Sequence, residues 1–315
     1  MACGKGEKCM DLERKRIARR NHIREGSPLA TGVLGFIAVA LGLVTVYPMY
    51  YVLILSISDP AAAMTMRVYW VPDGFNLDSY RLLVRDSEMW RAYLNTILYI
   101  VPTTLLMLAT CLMGAFPLTV KGLRFRKWIN MYLLIPMYFS GGMIPSFLLI
   151  VKLGLYDQPL SQILPACFSI WNIILTKAYL SSIPESLRES ARIDGANIYQ
   201  ILLRVYVPMA KPILAVISVY TIVGVWNSWF NAMVYLPHTT WQPLQLYLRR
   251  VLVENTQDLT RTLTAEESLE RALRQMSTAQ LKYAMIIFTT LPVLCAYPFF
   301  QRYFVKGIML GSLKE

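Results

Sequence analysis

Residues 185–212, ESLRESARIDGANIYQILLRVYVPMAKP, are polar and helix-forming, yet they lie between two stretches too apolar for water. Ser182-Ile183-Pro184-Glu185 predicts a helix start, with Ser182 as N-cap, proline in the first turn and Glu185 at the capping-box position. Leu187, Ala191 and Asp194 recur at helical spacing, and Gly195 permits the left-handed turn that ends such a helix. Ile198, Ile201, Leu202 and Val205 form a second apolar stripe, which Pro208 and Pro212 are expected to stop. A helix, a glycine turn and a second helix set between lipid spans imply a partner surface. A hairpin lying flat at the lipid interface is the alternative that spacing alone leaves open.

The lipid spans follow from the charges. Of 315 residues, 56% are hydrophobic and 16% charged, against about a quarter in ordinary soluble domains. Asp, Glu, Lys and Arg are absent from Thr31–Ile57, Ala92–Val120, Trp128–Val151, Gln158–Thr176, Pro212–Leu248 and Tyr283–Gln301. Each run approaches or exceeds the roughly 20 residues a helix needs to cross about 30 Å of hydrocarbon. Backbone polar groups in lipid must be satisfied within the segment, so the fold class is all-α with six transmembrane helices. The expected spans are 31–55, 93–119, 128–150, 161–180, 213–236 and 282–304.

With the N-terminus in the cytoplasm, the inside segments are those before Thr31, Lys121–Lys127, Lys177–Lys211 and those after Gln301. They hold 20 of the 31 Lys and Arg residues but only 8 of the 19 acids, which places the whole formal +12 on one side. That is the positive-inside pattern, and it puts both termini in the cytoplasm. Topology explains the basic charge without a nucleic-acid partner. The expected organisation is a basic tail over 1–30, a six-helix domain over 31–304 and a C-terminal tail over 305–315. Within the domain lie the cytoplasmic insert 181–212 and an outer loop 237–280, the latter with a short helix suggested by the capping-box spacing of Thr264 and Glu267. Cys111, Cys167 and Cys295 fall in spans as small apolar residues, and Cys3 and Cys9 in the tail have no histidine cluster beside them.

The pattern Glu189-Ser190-Ala191, Asp194-Gly195-Ala196, then Val205, Val207 and Pro208 resembles the EAA motif of ABC importer permeases. Ser190 stands where alanine is commonest and Val207 where leucine is. FSGGMIP (139–145), GVWNSWFNAMVYL (224–236), PLQLYLRR (243–250) and the terminal QRYFVKGIMLGSL are similar to carbohydrate-uptake permeases. The likeness is to the second permease of the maltose type, in the branch assigned to oligo- or polysaccharide uptake. It implies a type I permease fold and a coupling helix carried by Glu189, Ser190, Ala191, Asp194, Gly195, Ala196 and Pro208 that docks on an ATPase. It also implies three kinds of partner chain: a second homologous permease, an ABC ATPase dimer and an extracytoplasmic solute-binding protein. ATP and magnesium would belong to the ATPase, with no cofactor in this chain.

Candidates for the substrate path are Trp226, Asn227, Trp229 and Asn231. Asn227 and Asn231, four apart, are expected to share one helix face, where amides and aromatic rings suit a sugar. Trp and Tyr also gather at membrane interfaces, and asparagine can bond a neighbouring helix instead. No phosphate-cradling G-x-x-x-x-G-K-[ST] occurs, and two histidines in all leave catalysis in this chain without support. A secondary carrier would need ionisable groups inside the spans, which are nearly lacking. An ABC importer for a non-sugar solute is the closer rival.

Overall fold

The computed structural model describes residues 28–65, 68–257 and 280–298. Its regular elements are α1 (Pro28–Ile57), α2 (Pro60–Thr65), α3 (Asp78–Arg85), α4 (Ser87–Thr119), α5 (Arg126–Tyr138), α6 (Met143–Lys152), α7 (Leu160–Ala166) and α8 (Ile170–Leu180). Then come α9 (Glu185–Ile193), α10 (Ile198–Ile201), a π-helical turn Leu202–Tyr206 and α11 (Val207–Met209). The remainder are α12 (Lys211–Trp226), α13 (Phe230–Tyr235), a 3₁₀ turn Thr239–Trp241, α14 (Leu244–Gln257) and α15 (Gln280–Pro298). Every regular element among the described residues is helical, as expected. Cys3, Cys9, most of the basic tail, Thr264, Glu267 and the 305–315 tail lie outside the described residues.

Three helices are each long and apolar enough to cross a membrane: Thr31–Ile57 within α1, then α4 and α15. Three bent pairs meet the same test together, giving six crossings if each pair is one. The expected third and fourth spans are each such a bent pair, and the expected fifth runs through α12 and α13 with a break after Trp226. α5 and α6 meet at 109°, with Gly142 at φ +84 in the break. Pro136 near the end of α5 and Pro145 in the first turn of α6 remove the amides that would carry a helix through. α7 and α8 meet at 42°, where Ser169 accepts from the Asn172 N–H and Thr110 Oγ1 donates to the Cys167 carbonyl at 2.9 Å. The third pair joins the insert's second helix to α12 at 76°.

α4 is the axis of the molecule. Asp86 starts it by accepting from the backbone N–H groups of Glu88 and Met89, and Pro102 and Pro117 lie inside without ending it. It packs against α7, α8, α12 and α14. At its start, Met89, Ala92 and Tyr93 are buried with Trp226, Leu244, Tyr247 and Met285. At its far end, Cys111, Ala115 and Phe116 are buried with Ile173, Leu180, Ile201 and Tyr206. The first part of the expected outer loop is therefore packed structure, since α14 covers the start of α4.

α1 is exposed along most of its length, with Phe36 75% and Leu34 67% exposed, as a helix facing lipid or another chain requires. Only its last turns are buried, where Ile54 and Leu55 meet Ala63 and Val68. There the buried Gln280 side chain donates to the carbonyls of Ser58 (2.8 Å), Asn76 (3.1 Å) and Ser56 (3.3 Å) and accepts from Ser79 Oγ (2.9 Å). One amide thus joins α1, the segment before α3 and α15.

Candidate functional site

α9 begins at Glu185, one residue after the extended Pro184, and has no side-chain cap. The expected Ser182 cap does not form, because the Ser182 hydroxyl turns back to the Tyr179 carbonyl at 2.7 Å. Glu185 accordingly does not close a capping box. Its carboxylate takes hydrogen bonds from Arg188, three residues on, and from Lys121 in the turn after α4, the latter at 2.5 Å. The Lys121 hydrogen bond holds the Glu185 carboxyl below its ordinary value against the opposing effect of desolvation, with the charges of Lys121 and Arg188 adding to it.

The glycine turn forms as the spacing predicts. Gly195 sits at φ +81, and the N–H groups of Asp194, Gly195 and Ala196 return to the carbonyls of Ser190, Arg192 and Ala191. The next helix starts with a capping box the sequence reading missed: Asn197 accepts from Gln200 N–H, and Gln200 accepts from Asn197 N–H, both at 2.9 Å. Pro208 does not stop this helix; the π turn Leu202–Tyr206 precedes it and the chain continues to Met209. Proline clashes with the carbonyl four residues back, and widening to i→i+5 bonding relieves that clash. The bend comes at Ala210, ahead of Pro212.

The motif residues divide by face. Ala191 and Ala196 pack against the buried cluster of α4, α8 and α12, beside Leu202 and Val205. Ile201 is buried, and Tyr206 meets the Phe116 ring edge-on at 4.9 Å between centroids. Ile198, expected in the same stripe, is 42% exposed instead. Glu189, Ser190, Asp194 and Gly195 are exposed, together with Leu187, Tyr199 and Ile193, the last at 86%. The small residues anchor the insert, while its acids and three large apolar side chains face outward.

The expected substrate face is corrected. α12 ends at Trp226 and α13 begins at Phe230, so Asn227 and Asn231 do not share a helix. Asn227 is the C-cap of α12, and its side-chain amide returns to the Val223 carbonyl at 3.0 Å. Trp226 is buried against Tyr93, ring centroids 6.0 Å apart. Trp229 lies beneath the Arg249 guanidinium, 3.9 Å from its centroid. Asn231 lines a cavity of about 90 Å³, shared with Ser228, Tyr99 and Gln162, while Trp226 lines a separate apolar cavity of about 450 Å³ with Val223 and Tyr297. Tyr99 and Gln162 were missed from the sequence; Gln162, an amide inside an uncharged run, was the available signal. No metal-binding group of His, Cys, Asp or Glu occurs among the described residues.

A family model described as "Binding-protein-dependent transport system inner membrane component" matches residues 107–310, which include the whole insert. Protein LplC of Bacillus subtilis (strain 168) is 32% identical over 274 residues, 87% of this chain and 91% of LplC. The polygalacturonan/rhamnogalacturonan transport system permease protein YtcP of the same organism is 31% identical over 285 residues, 90% of this chain and 96% of YtcP. A chain in the crystal structure of a bacterial ABC transporter involved in the import of the acidic polysaccharide alginate matches with a TM-score of 0.78 and 33% identity. That match covers 89% of this chain and 98% of the other. Likeness of this extent, in sequence and in fold, makes the chain a member of the binding-protein-dependent transport system inner membrane components, an ABC importer permease and not an enzyme.

Proposed function

We propose that this chain is one of two permeases in an ATP-driven importer for an oligo- or polysaccharide, with uronic-acid polymers the first substrates to test. Support comes from two relatives of near-full coverage, one whose name carries polygalacturonan and rhamnogalacturonan and one taken from an alginate importer. The partners are a homologous second permease, an ABC ATPase dimer that holds ATP and magnesium, and an extracytoplasmic solute-binding protein. Both termini lie in the cytoplasm of a bacterial cell, on the side of the insert.

The observation that carries the coupling role is the two-faced insert. Its alanines are held in the core while Glu189, Ser190, Asp194 and Gly195 stand outward among Leu187, Ile193 and Tyr199. Burying one such apolar side chain on a partner is worth about 1.5–3 kcal/mol. Motion of the ATPase would pass through this face into α8 and α12, with Pro208 and the π turn at the root of the second arm. On the substrate side, Asn231, Ser228, Gln162 and Tyr99 supply amide and hydroxyl groups at a helix break; Trp226, Asn227 and Trp229 flank it.

The test assembles the chain with a second permease, an ABC ATPase and a solute-binding protein from the same cell. ATP hydrolysis is then measured while uronic-acid oligomers, neutral oligosaccharides, amino acids and phosphate are offered in turn. Stimulation by an oligosaccharide is expected. Stimulation by amino acids or phosphate alone would overturn the sugar assignment and leave the permease assignment standing.

A further inference from the structure

Arg188 lies on α9 between the outward-facing Leu187 and Glu189, yet it turns inward, with its side chain only 7% exposed. It donates to Glu185 Oε1, while its buried Nε finds no acceptor among the described residues. A guanidinium keeps its charge and carries five donors in a fixed fork, so one buried against a single carboxylate is under-satisfied. Lys121 meets the other oxygen of the same carboxylate, and Arg126 lines the same cavity. Three cations and one acid therefore line one cavity at the base of the insert.

The cavity they line is about 150 Å³, several times the roughly 30 Å³ that one water occupies in the liquid. Tyr206, Leu180 and Ile183 give it an apolar wall, and Thr119 and Ser181 add hydroxyl groups. α9 starts at its rim without a side-chain cap, so the positive end of the helix dipole adds to the field of the three cations.

We propose that this cavity binds a phosphate group, either the headgroup of an anionic lipid or a free phosphate ion, with Arg188 and Arg126 as its principal ligands. A guanidinium fork matches two phosphate oxygens at once, and Glu185 keeps Arg188 and Lys121 in place to receive them. The cavity opens where α4 and α8 end and the insert begins, at the level where headgroups of the leaflet on that side would lie. A bound phosphate would join the turn after α4 to the root of the insert and stiffen it. The site does not depend on which solute is carried.

The test uses the full chain in its assembled complex. Native mass spectrometry follows retention of phosphatidylglycerol against phosphatidylcholine, and phosphorus NMR line broadening follows inorganic phosphate. Wild type should hold at least one of these probes about tenfold better than Arg188→Gln and Arg126→Gln. Arg124→Gln, which removes the same charge from an exposed position in the same turn, should match wild type. Retention of phosphatidylglycerol alone identifies a lipid headgroup, and phosphate broadening alone identifies a soluble ion; either supports the site. If Arg188→Gln fails to assemble, the half-buried Arg126→Gln decides. Equal binding by wild type and Arg126→Gln, no binding of either probe, or an equal loss in Arg124→Gln overturns the proposal.

Discussion

Gly195 offers a quantitative test of the insert. Its φ is +81, and a Cβ built there meets no atom within 4 Å. The cost of a side chain is therefore conformational and owes nothing to a clash within the chain. Holding an ordinary L-residue in the left-handed region costs about 1–2 kcal/mol, more for a β-branched residue and less for asparagine. Gly195→Ala should then reduce the population of the native turn roughly 5- to 30-fold relative to competing turns, with Gly195→Val worse and Gly195→Asn close to wild type. The assay is the amount of ATPase that co-purifies with each variant, read beside substrate-stimulated ATP hydrolysis. Loss in alanine and valine with recovery in asparagine assigns the glycine to backbone geometry. If asparagine fails as badly as valine, the glycine serves a partner surface that tolerates no side chain. If all three variants hold the ATPase and couple normally, the insert is not the coupling element.

Four further outcomes follow from other contacts. Asn231→Leu should cost about 1 kcal/mol, roughly fivefold in uptake affinity, with assembly and basal hydrolysis intact; unchanged affinity would assign Asn231 to packing. Because the Glu185 carboxyl is held below its ordinary 4.5, its contribution is complete above that value and is lost as pH falls through the lower folded value. The difference in thermal midpoint between wild type and Glu185→Gln should thus persist through neutral pH and close only below about pH 4.5; closure between pH 5 and 7 would contradict the pairing. Gln280→Leu strands three carbonyls and the Ser79 hydroxyl and should destabilise the chain by about 2 kcal/mol or more, seen as a lower midpoint in detergent. Tags in Lys121–Lys127 and after Gln301 should report cytoplasm and a tag near Glu254 the outside; Glu254 on the same side as Lys121 would end the six-crossing topology.

What the sequence conveys depends on whether a feature is local. Charge-free runs reveal lipid helices because the bilayer penalises every ionised group, and Gly195 reveals its turn because only glycine takes positive φ freely. The break after Trp226 is hidden because no proline or glycine stands in Trp226–Phe230. There Asn227 competes for a helix carbonyl with its own side chain, and Ser228 N–H closes a tighter turn on Val225. Ser182 misleads in the opposite sense: its hydroxyl could accept from an N–H ahead or donate to a carbonyl behind, and it donates to the Tyr179 carbonyl. The pairing of Lys121 with Glu185 and the cavity joining Tyr99, Gln162 and Asn231 are contacts between distant segments, to which periodicity is blind.

The Gln280 amide also has a consequence in time. Ser56 and Gln280 are 224 residues apart. At a synthesis rate of roughly 5–20 residues per second, α1 emerges about 10–45 seconds before the side chain that fastens its end has been made. Through that interval the first helix sits in the bilayer with almost none of its surface covered by its own chain. Anything that shelters it, whether an insertion factor or a sister subunit, has that window in which to act. A ribosome that stalls before residue 280 leaves behind a first helix that packs on Ala63 and Val68 but lacks the amide that ties its end to α15.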